Sequence, residues 1–126
     1  MIKALHQIRQ PFNVNVVAQA AGVAALDVME ELKPLARETI EERQRVREVM
    51  LELGLVCPPS QTNFVFVDLG ERTVDLFETL YDEGVVVRRM AQFGASQNSY
   101  RISIGTVEEN DRLIEATRKV LGNTAA

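Results

Sequence analysis

The hydrophobic pattern of the chain changes at Pro58-Pro59, and this change limits the folds that the chain can adopt. Upstream of the two prolines, apolar residues recur at three- and four-residue intervals, as on one face of a helix: Val46, Val49, Met50 and Leu53. Downstream, short apolar or alternating runs carry aromatic and β-branched residues, which favour strands. The chain is therefore predicted to pack long helices against a small sheet, as proteins of the α+β class do.

Two long helices are predicted upstream of the prolines. Asn15 can cap a helix through Val16–Glu30, a segment rich in alanine. Pro34 fits the first turn of a second helix but not the interior of one continuous helix, and Gly54 stops that helix after Leu53. Arginines are interleaved with the acidic residues of the second helix, so its carboxylates are predicted to form a solvated face: Glu38, Glu41, Glu42, Glu48 and Glu52.

Three segments downstream of the prolines are predicted to be strands: Phe64–Val67, Val85–Val87 and Tyr100–Ile104. The second and third are joined by the Ala91–Ser99 loop and should form an antiparallel hairpin. The predicted fold is α+β, with helices packed on one face of a small, mainly antiparallel sheet of three to four strands.

Two further helices are predicted around these strands. Thr73 can cap the first, which ends at Gly84 and has as its inner face Val74, Phe77, Leu80 and Tyr81. The second opens at a Thr-x-x-Glu capping box formed by Thr106 and Glu109. Its packed face is predicted to be Leu113, Ile114, Thr117, Val120 and Leu121.

Composition and charge narrow the possible classes of function. At 126 residues, with 46% apolar and 25% charged residues, the chain is predicted to be one ordinary globular domain. A net charge of −4 gives no broad affinity for nucleic acid or an anionic membrane. The longest uncharged stretch, Pro11–Leu26, is too polar for a membrane span, and the mixed polar segment after Met1 makes a cytoplasmic setting the default. Cys57 is the single cysteine and is interpreted as a packing residue, and His6, the single histidine, is assigned no role.

Arg101 lies in the middle of the third predicted strand, where alternation places it on the face opposite to Tyr100 and Ile102. A guanidinium there offers a planar, permanently charged fork that suits carboxylate or phosphate. The pattern leaves open the alternative of an arginine that is solvated or paired with an internal acid. Arg88 and Arg89 close the second strand and face opposite ways, so at most one of them can share the face of Arg101. The pattern alone favours a solvated pair that forms surface ion pairs.

Four motifs, in order along almost the whole chain, resemble those of the histidinol-phosphate aminotransferases. The segment Arg9–Asn15, followed by an alanine-rich helix, is similar to the segment that joins the two domains in that family. Pro59–Val67 resembles the family's Pro-Ser-x-x-Asn-Phe strand, and Gly84–Arg88 resembles its glycine-hydrophobic-arginine strand. Tyr100–Asn110 closely matches its Arg-Ile-Ser-Ile-Gly-Thr-x-Glu-Glu-Asn ending.

The resemblance implies the small C-terminal domain of a fold-type I, pyridoxal-phosphate-dependent aminotransferase. Such an enzyme is a homodimer that exchanges an amino group between histidinol phosphate and glutamate. Residues 1–14 would be the interdomain connector and residues 15–126 the small domain. In that family the arginines that correspond to Arg88 and Arg101 help to bind the anionic group of the small phosphorylated substrate.

The resemblance does not extend to the lysine that holds the cofactor. In the family this lysine lies in a Ser-Lys-x-x-Gly-Leu-Ala-Gly-Leu-Arg stretch, and none of Lys3, Lys33 and Lys119 has such a context. Pyridoxal phosphate is therefore expected on the full-length enzyme and not on this chain, which would be inactive without the missing N-terminal large domain. Without that partner, the apolar residues of Val14–Leu26 should be exposed and favour self-association.

A competing hypothesis comes from a different class of function. The chain could be a free-standing α+β ligand-binding or regulatory module that uses Arg88 and Arg101 for a small anion. Upstream coding sequence with a Ser-Lys-x-x-Gly stretch would favour the aminotransferase, and its absence would favour the module. The substrate also stays open, because related enzymes of the same fold act on other amino or phospho-amino acids.

Overall fold

The structure of the chain is a computed structural model that describes residues 2–8 and 12–122. The chain divides into two compact units, Met1–Leu35 and Ala36–Ala126. Residues 9–11 of the predicted connector lie outside the described residues, as do the side chains of Lys3 and His6. No helix in the described ranges has the length and apolarity needed to cross a membrane.

The first unit contains helices α1 (Ile2–Ile8) and α2 (Val16–Asp27) and the beginning of α3 (Met29–Glu52). The sequence pattern did not predict α1. The predicted cap of α2 is confirmed, because Oδ1 of Asn15 accepts a hydrogen bond of 2.9 Å from the backbone N–H of Ala18.

The apolar side chains around α2 are exposed, as the sequence predicted. α2 is described over its whole length and buries none of its residues. Exposed fractions of 63–77% are found for Val14, Val16, Val17, Val23 and Leu26.

The break between α2 and α3 falls at Val28, earlier than the predicted break between Glu30 and Pro34. Val28 has φ −111° and ψ 24°, which takes it out of the helical region and ends α2. Glu30 and Glu31 then lie in the first turn of α3, where carboxylates stabilise the positive end of the helix dipole. Pro34 lies inside α3, and its missing N–H removes one helical hydrogen bond without ending the helix.

The second unit is built on an antiparallel sheet. In the described ranges the sheet has three strands, in the order β1-β3-β2. These are β1 (Phe64–Asp68), β2 (Arg88–Arg89) and β3 (Ser99–Ser103), and a short 3-10 turn at Ala91–Phe93 lies between β2 and β3. β3 pairs with both of the other strands, so it is the central strand.

Helices α3, α4 (Leu76–Asp82) and α5 (Val107–Gly122) build the core against one face of this sheet. The buried apolar residues are Val46, Met50, Val65, Val67, Leu76, Leu80, Tyr100, Ile102, Leu113, Ile114 and Val120, among others. The predicted α+β fold and the predicted inner faces of α3 and α5 are therefore confirmed.

The capping box of α5 is confirmed as well. The N–H of Thr106 donates to Oε2 of Glu109 at 2.9 Å, and the N–H of Glu109 donates to Oγ1 of Thr106 at 3.3 Å.

The sequence predicted the second strand at Val85–Val87, but in the structure it lies at Arg88–Arg89. The reason is the end of α4, where Gly84 adopts the left-handed conformation with φ 76°. The backbone N–H of Val85 then donates to the carbonyl of Leu80 at 2.8 Å and closes the helix. Because this amide serves the helix end, strand pairing begins only three residues later.

Asp75 caps α4, and not Thr73 as predicted. Its Oδ1 accepts hydrogen bonds from two backbone N–H groups of the first turn, at 3.0 and 3.5 Å. A helix that begins at Leu76 buries Leu76 and Leu80, which lie four residues apart on one face. Tyr81 falls beside that face and is 59% exposed, so its predicted place in the core is wrong.

Glu42 was predicted to lie on a solvated face, but it is 8% exposed. Nε and Nη2 of Arg45 donate to its two carboxylate oxygens at 2.9 and 2.6 Å, and Nδ2 of Asn110 donates to Oε2 at 2.8 Å. The hydrogen bond to Arg45 has the largest effect and lowers the pKa of Glu42. Asn110 also binds the backbone N–H and carbonyl of Gly105, both at 3.0 Å, so this network joins α3 and α5 to the segment after β3.

Candidate anion-binding site

Arg101 lies at the centre of the sheet face that the helices leave open. In the central strand its direct partners are Phe66 of β1 and Arg88 of β2. Directly opposite residues share a face, so these three side chains form one row across the sheet. The predicted alternation is confirmed, because Tyr100 and Ile102 are buried on the other face while Arg101 is half-buried.

The strand register separates the two adjacent arginines of β2. Arg88 lies opposite Arg101, whereas Arg89 lies opposite Tyr100 and therefore on the helix side of the sheet. Arg89 is paired there with Asp75. The prediction that at most one of the two shares the face of Arg101 is confirmed, and that residue is Arg88.

The charges on this row lack compensation within the described residues. No carboxylate of the described part of the chain forms an ion pair with Arg88 or Arg101. Nε of Arg101 is buried, and among the described residues it has no hydrogen-bond partner. Nη1 of Arg72 is also buried and has no hydrogen-bond partner among the described residues, but Nη2 of Arg72 donates to the carbonyl of Leu53 at 3.1 Å. The internal acid that was the alternative partner for Arg101 is therefore not found in these ranges.

Two physical costs follow from this arrangement. A buried N–H without a partner costs about 1–3 kcal/mol. Like charges on directly opposite residues of an antiparallel pair are destabilising as well. An anion bound by Arg88 and Arg101 would offset the repulsion between the two positive charges, and it would also offset the cost at Nε if the Arg101 side chain turned that buried atom toward it.

Aromatic rings lie against both guanidinium groups. Cζ of Arg101 is 5.2 Å from the ring centre of Phe64, and Cζ of Arg88 is 4.9 Å from the ring centre of Phe93. Such contacts orient the guanidinium plane and leave the N–H groups at its edge free to bind. The sequence pattern did not indicate that either ring belongs to the site. The alternation of Phe64 and Phe66 with buried valines could have indicated outward aromatic residues, whereas Phe93 lies in a turn without a regular pattern.

The charges on this row suit an anionic ligand. Two guanidinium groups on facing strands can form forked, charge-assisted hydrogen bonds to phosphate or carboxylate. No group of three or more His, Cys, Asp or Glu residues in the described ranges is placed to hold a metal ion.

The other reactive side chains of the described ranges are occupied elsewhere. Cys57 packs in the core, and burial raises the pKa of its thiol, which agrees with the interpretation as a packing residue. Lys33 is paired with Glu30, and Lys119 is paired with Glu83. The hydrogen bond to Glu83 is the main reason why the pKa of Lys119 is raised. A lysine that reacts as a neutral amine needs the opposite shift.

The chain is similar to known aminotransferases over most of its length. The sequence profile described as "Aminotransferase class I and II" matches residues 1–116. Histidinol-phosphate aminotransferase 2 of Pseudomonas fluorescens (strain Pf0-1) is 44% identical over 117 residues, which are 93% of this chain and 31% of that protein. The aromatic amino acid aminotransferase of Mycobacterium sp. (strain KMS) is 34% identical over 122 residues, which are 97% of this chain and 33% of that protein.

A solved structure shows the same fold. The crystal structure of histidinol-phosphate aminotransferase from Sinorhizobium meliloti, in complex with pyridoxal-5'-phosphate, is similar with a TM-score of 0.64 and 30% sequence identity. The similarity covers 98% of this chain and 34% of that chain. The chain thus spans about a third of the length of the relatives that it matches.

Proposed function

The chain belongs to the class I and II aminotransferases, and from that premise we propose that it is the small C-terminal domain of an enzyme that transfers an amino group between histidinol phosphate and glutamate. The observation that carries this proposal is the pair of facing arginines, Arg88 and Arg101, with no acidic partner in the described ranges. A phosphorylated substrate supplies the anion that this pair lacks.

Arg101 and Arg88 bind the phosphate of the substrate and orient its reacting end toward the rest of the enzyme. A hydrogen bond to a charged group contributes about 1.5–3 kcal/mol, and a forked contact also fixes the direction of approach. Phe64 and Phe93 hold the two guanidinium planes in place. These residues bind and position the substrate, and they carry no proton transfer in this scheme.

Pyridoxal phosphate, when bound, supplies the electron sink for amino transfer. Lys33 and Lys119 do not fit its covalent attachment, because each ammonium group is held in an ion pair. The proposal therefore assigns the cofactor and its lysine to a large domain that precedes this chain, with residues 1–14 as the connector. The complete enzyme is proposed to be a homodimer, and the exposed apolar side chains of Val14–Leu26 are proposed to meet the large domain or a second subunit.

A second candidate function concerns the substrate. The similarity to an aromatic amino acid aminotransferase covers 97% of the chain at 34% identity, and the similarity to a histidinol-phosphate aminotransferase covers 93% at 44% identity. A guanidinium pair binds carboxylate as well as phosphate. An amino acid with an aromatic side chain would then bind through its carboxylate to the same two arginines.

Binding of small ligands to the 126-residue chain distinguishes these candidates. Titration with histidinol phosphate, histidinol and phenylalanine is followed through the NMR signals of the arginine Nε–H groups. We expect histidinol phosphate to shift the signals of Arg101 and Arg88, and Arg101→Gln to weaken its binding about ten- to a hundredfold. Arg112→Gln is the matched control, because Arg112 donates to the carbonyl of Glu83 on another part of the surface.

The outcomes separate the hypotheses. Equal binding of histidinol and histidinol phosphate would contradict a phosphate site, and preferential binding of phenylalanine would support the second candidate. In an enzyme that joins this chain to a lysine-bearing large domain, Arg101→Lys should lower kcat/KM for histidinol phosphate about ten- to a hundredfold. A free-standing anion-binding module would bind phosphate but would have no such domain encoded upstream.

A further inference from the structure

Strand β2 is two residues long, yet it determines where Arg88 points. Successive side chains of a strand point to opposite faces, so a slip of one residue would exchange the positions of Arg88 and Arg89. A strand of this length has few backbone hydrogen bonds with which to resist such a slip. Side-chain contacts on the helix face must therefore contribute to holding the register.

Val87, two residues earlier on the same face, is buried in the core, and Arg89 adds polar contacts there. Its Nη2 donates to Oδ2 of Asp75 at 2.5 Å and to Oε1 of Glu78 at 3.0 Å. Its Cζ lies 4.5 Å from the ring centre of Phe77. All three partners belong to α4 or its cap, so Arg89 fastens β2 to the beginning of that helix.

Asp75, which binds Arg89, is itself held in place by further contacts. Asp75 caps α4 through its Oδ1, and the hydroxyl of the buried Tyr100 lies 3.4 Å from the same oxygen. Tyr100 is also the direct partner of Arg89 in the strand register. Arg89 therefore closes a ring of contacts that runs from β2 through α4 to β3.

We propose that Arg89 is a positioning residue that holds Arg88 opposite Arg101 on the anion-binding face, an inference that rests on the proposed function of these two arginines. Arg89 does not touch the anion. Its ion pairs act in two ways, because they fix the register of β2 and they also compensate the third positive charge next to the site. The charges of Arg88 and Arg101 are then left for the ligand.

Phosphate binding to the complete 126-residue chain tests this assignment. Inorganic phosphate is the probe, and its dissociation constant is measured by NMR titration for the wild type and for Arg88→Gln, Arg89→Gln and Arg89→Lys. We expect Arg89→Gln to weaken phosphate binding about three- to tenfold and to move the Nε–H signal of Arg88 in the free protein. Arg89→Lys, which keeps the ion pairs, should restore part of the affinity. Arg89→Gln should add nothing further in an Arg88→Gln background.

The substitution Glu78→Gln separates positioning from a general effect of charge. It makes the surface more positive, so a purely electrostatic role of Arg89 predicts tighter phosphate binding. Loss of one of the two ion pairs predicts weaker binding if Arg89 acts by position. Tighter binding by Glu78→Gln, or equal and additive losses for Arg88→Gln and Arg89→Gln, would overturn the inference.

The test also distinguishes this inference from the proposed function. If Arg88→Gln and Arg101→Gln leave phosphate binding unchanged, the anion site itself is wrong. If those two variants weaken binding and Arg89→Gln does not, the anion site stands and the positioning role of Arg89 is wrong. Backbone amide spectra of each variant verify that the fold is retained, which is expected because the Arg89 side chain is 46% exposed.

Discussion

The Arg101→Met substitution should stabilise the fold while it removes phosphate binding. Methionine keeps most of the packed stem but eliminates the buried, unpaired Nε–H, whose burial costs about 1–3 kcal/mol. It also removes the like charge opposite Arg88, which is worth roughly 0.2–1 kcal/mol. The lost contact with the ring of Phe64 costs about 0.5–1 kcal/mol. The expected net change is a gain of about 1–2 kcal/mol in the free energy of unfolding.

Urea unfolding of the 126-residue chain, followed by circular dichroism, measures this change. The matched control is Arg89→Met, on the neighbouring strand, which loses ion pairs to Asp75 and Glu78 and should destabilise the fold by about 0.5–2 kcal/mol. Added phosphate should stabilise the wild type, because a ligand that binds the folded state raises its stability. It should leave the Arg101→Met variant unchanged.

A loss of stability in Arg101→Met as large as that in Arg89→Met would refute this reasoning. It would mean that the guanidinium of Arg101 contributes to the fold through a partner within the chain. An increase in stability together with undiminished phosphate stabilisation would refute the other half, because the anion would then bind elsewhere. Arg101→Met must therefore raise the free energy of unfolding and also abolish the stabilisation by phosphate.

Other consequences can be measured on the same chain. Asn110→Ala should cost about 2–4 kcal/mol in urea unfolding, because it removes the buried hydrogen bond to Glu42 and both hydrogen bonds to the backbone of Gly105. The hydrogen bond from Arg45 lowers the pKa of Glu42 in the folded protein, so the stability that the carboxylate contributes is present above the unfolded-state pKa and is lost as the pH falls through the folded-state pKa. The Glu42→Gln variant should therefore lose less stability than the wild type when the unfolding is repeated at increasingly acidic pH. Borohydride reduction in the presence of pyridoxal phosphate should not label Lys33 or Lys119 selectively, and a single dominant labelled lysine in the mass spectrum would contradict this. Light scattering should show concentration-dependent association through Val14–Leu26, and a strict monomer at high concentration would count against it.

The parts of the fold that were predicted correctly depend on neighbours in sequence. Thr106 and Glu109 of the capping box lie three positions apart, and both of its hydrogen bonds are present. The alternation around Arg101 is likewise local, and the burial of Tyr100 and Ile102 confirms it. In such segments the spacing of side chains determines the geometry directly, so the pattern is sufficient.

The predictions were wrong where the structure of a segment depends on a distant partner or on a competing local contact. Glu42 has the spacing of a solvated helix residue, and its burial depends on Asn110, far along the chain, as well as on the neighbouring Arg45. Val85 has the composition of a strand, but its amide closes the end of α4. Asp75 caps α4 in place of Thr73, and it also accepts a hydrogen bond from Arg89, which follows it by fourteen residues. The partners Asn110 and Arg89 could not be chosen from the sequence, since their contacts exist only once the strands and helices are packed.

In the candidate site, the sequence pattern indicates a candidate functional residue more readily than the residues around it. Arg101 departs from the apolar composition of its strand, and this departure was visible without a structure. Its partner Arg88 was distinguishable from Arg89 only through a resemblance, because the register of a two-residue strand is set by contacts with α4. An anion that bridges Arg88 and Arg101 would add bonds between the same two strands. Ligand binding and the order of β2 are then one coupled equilibrium, in which a residue that never touches the ligand contributes to its affinity.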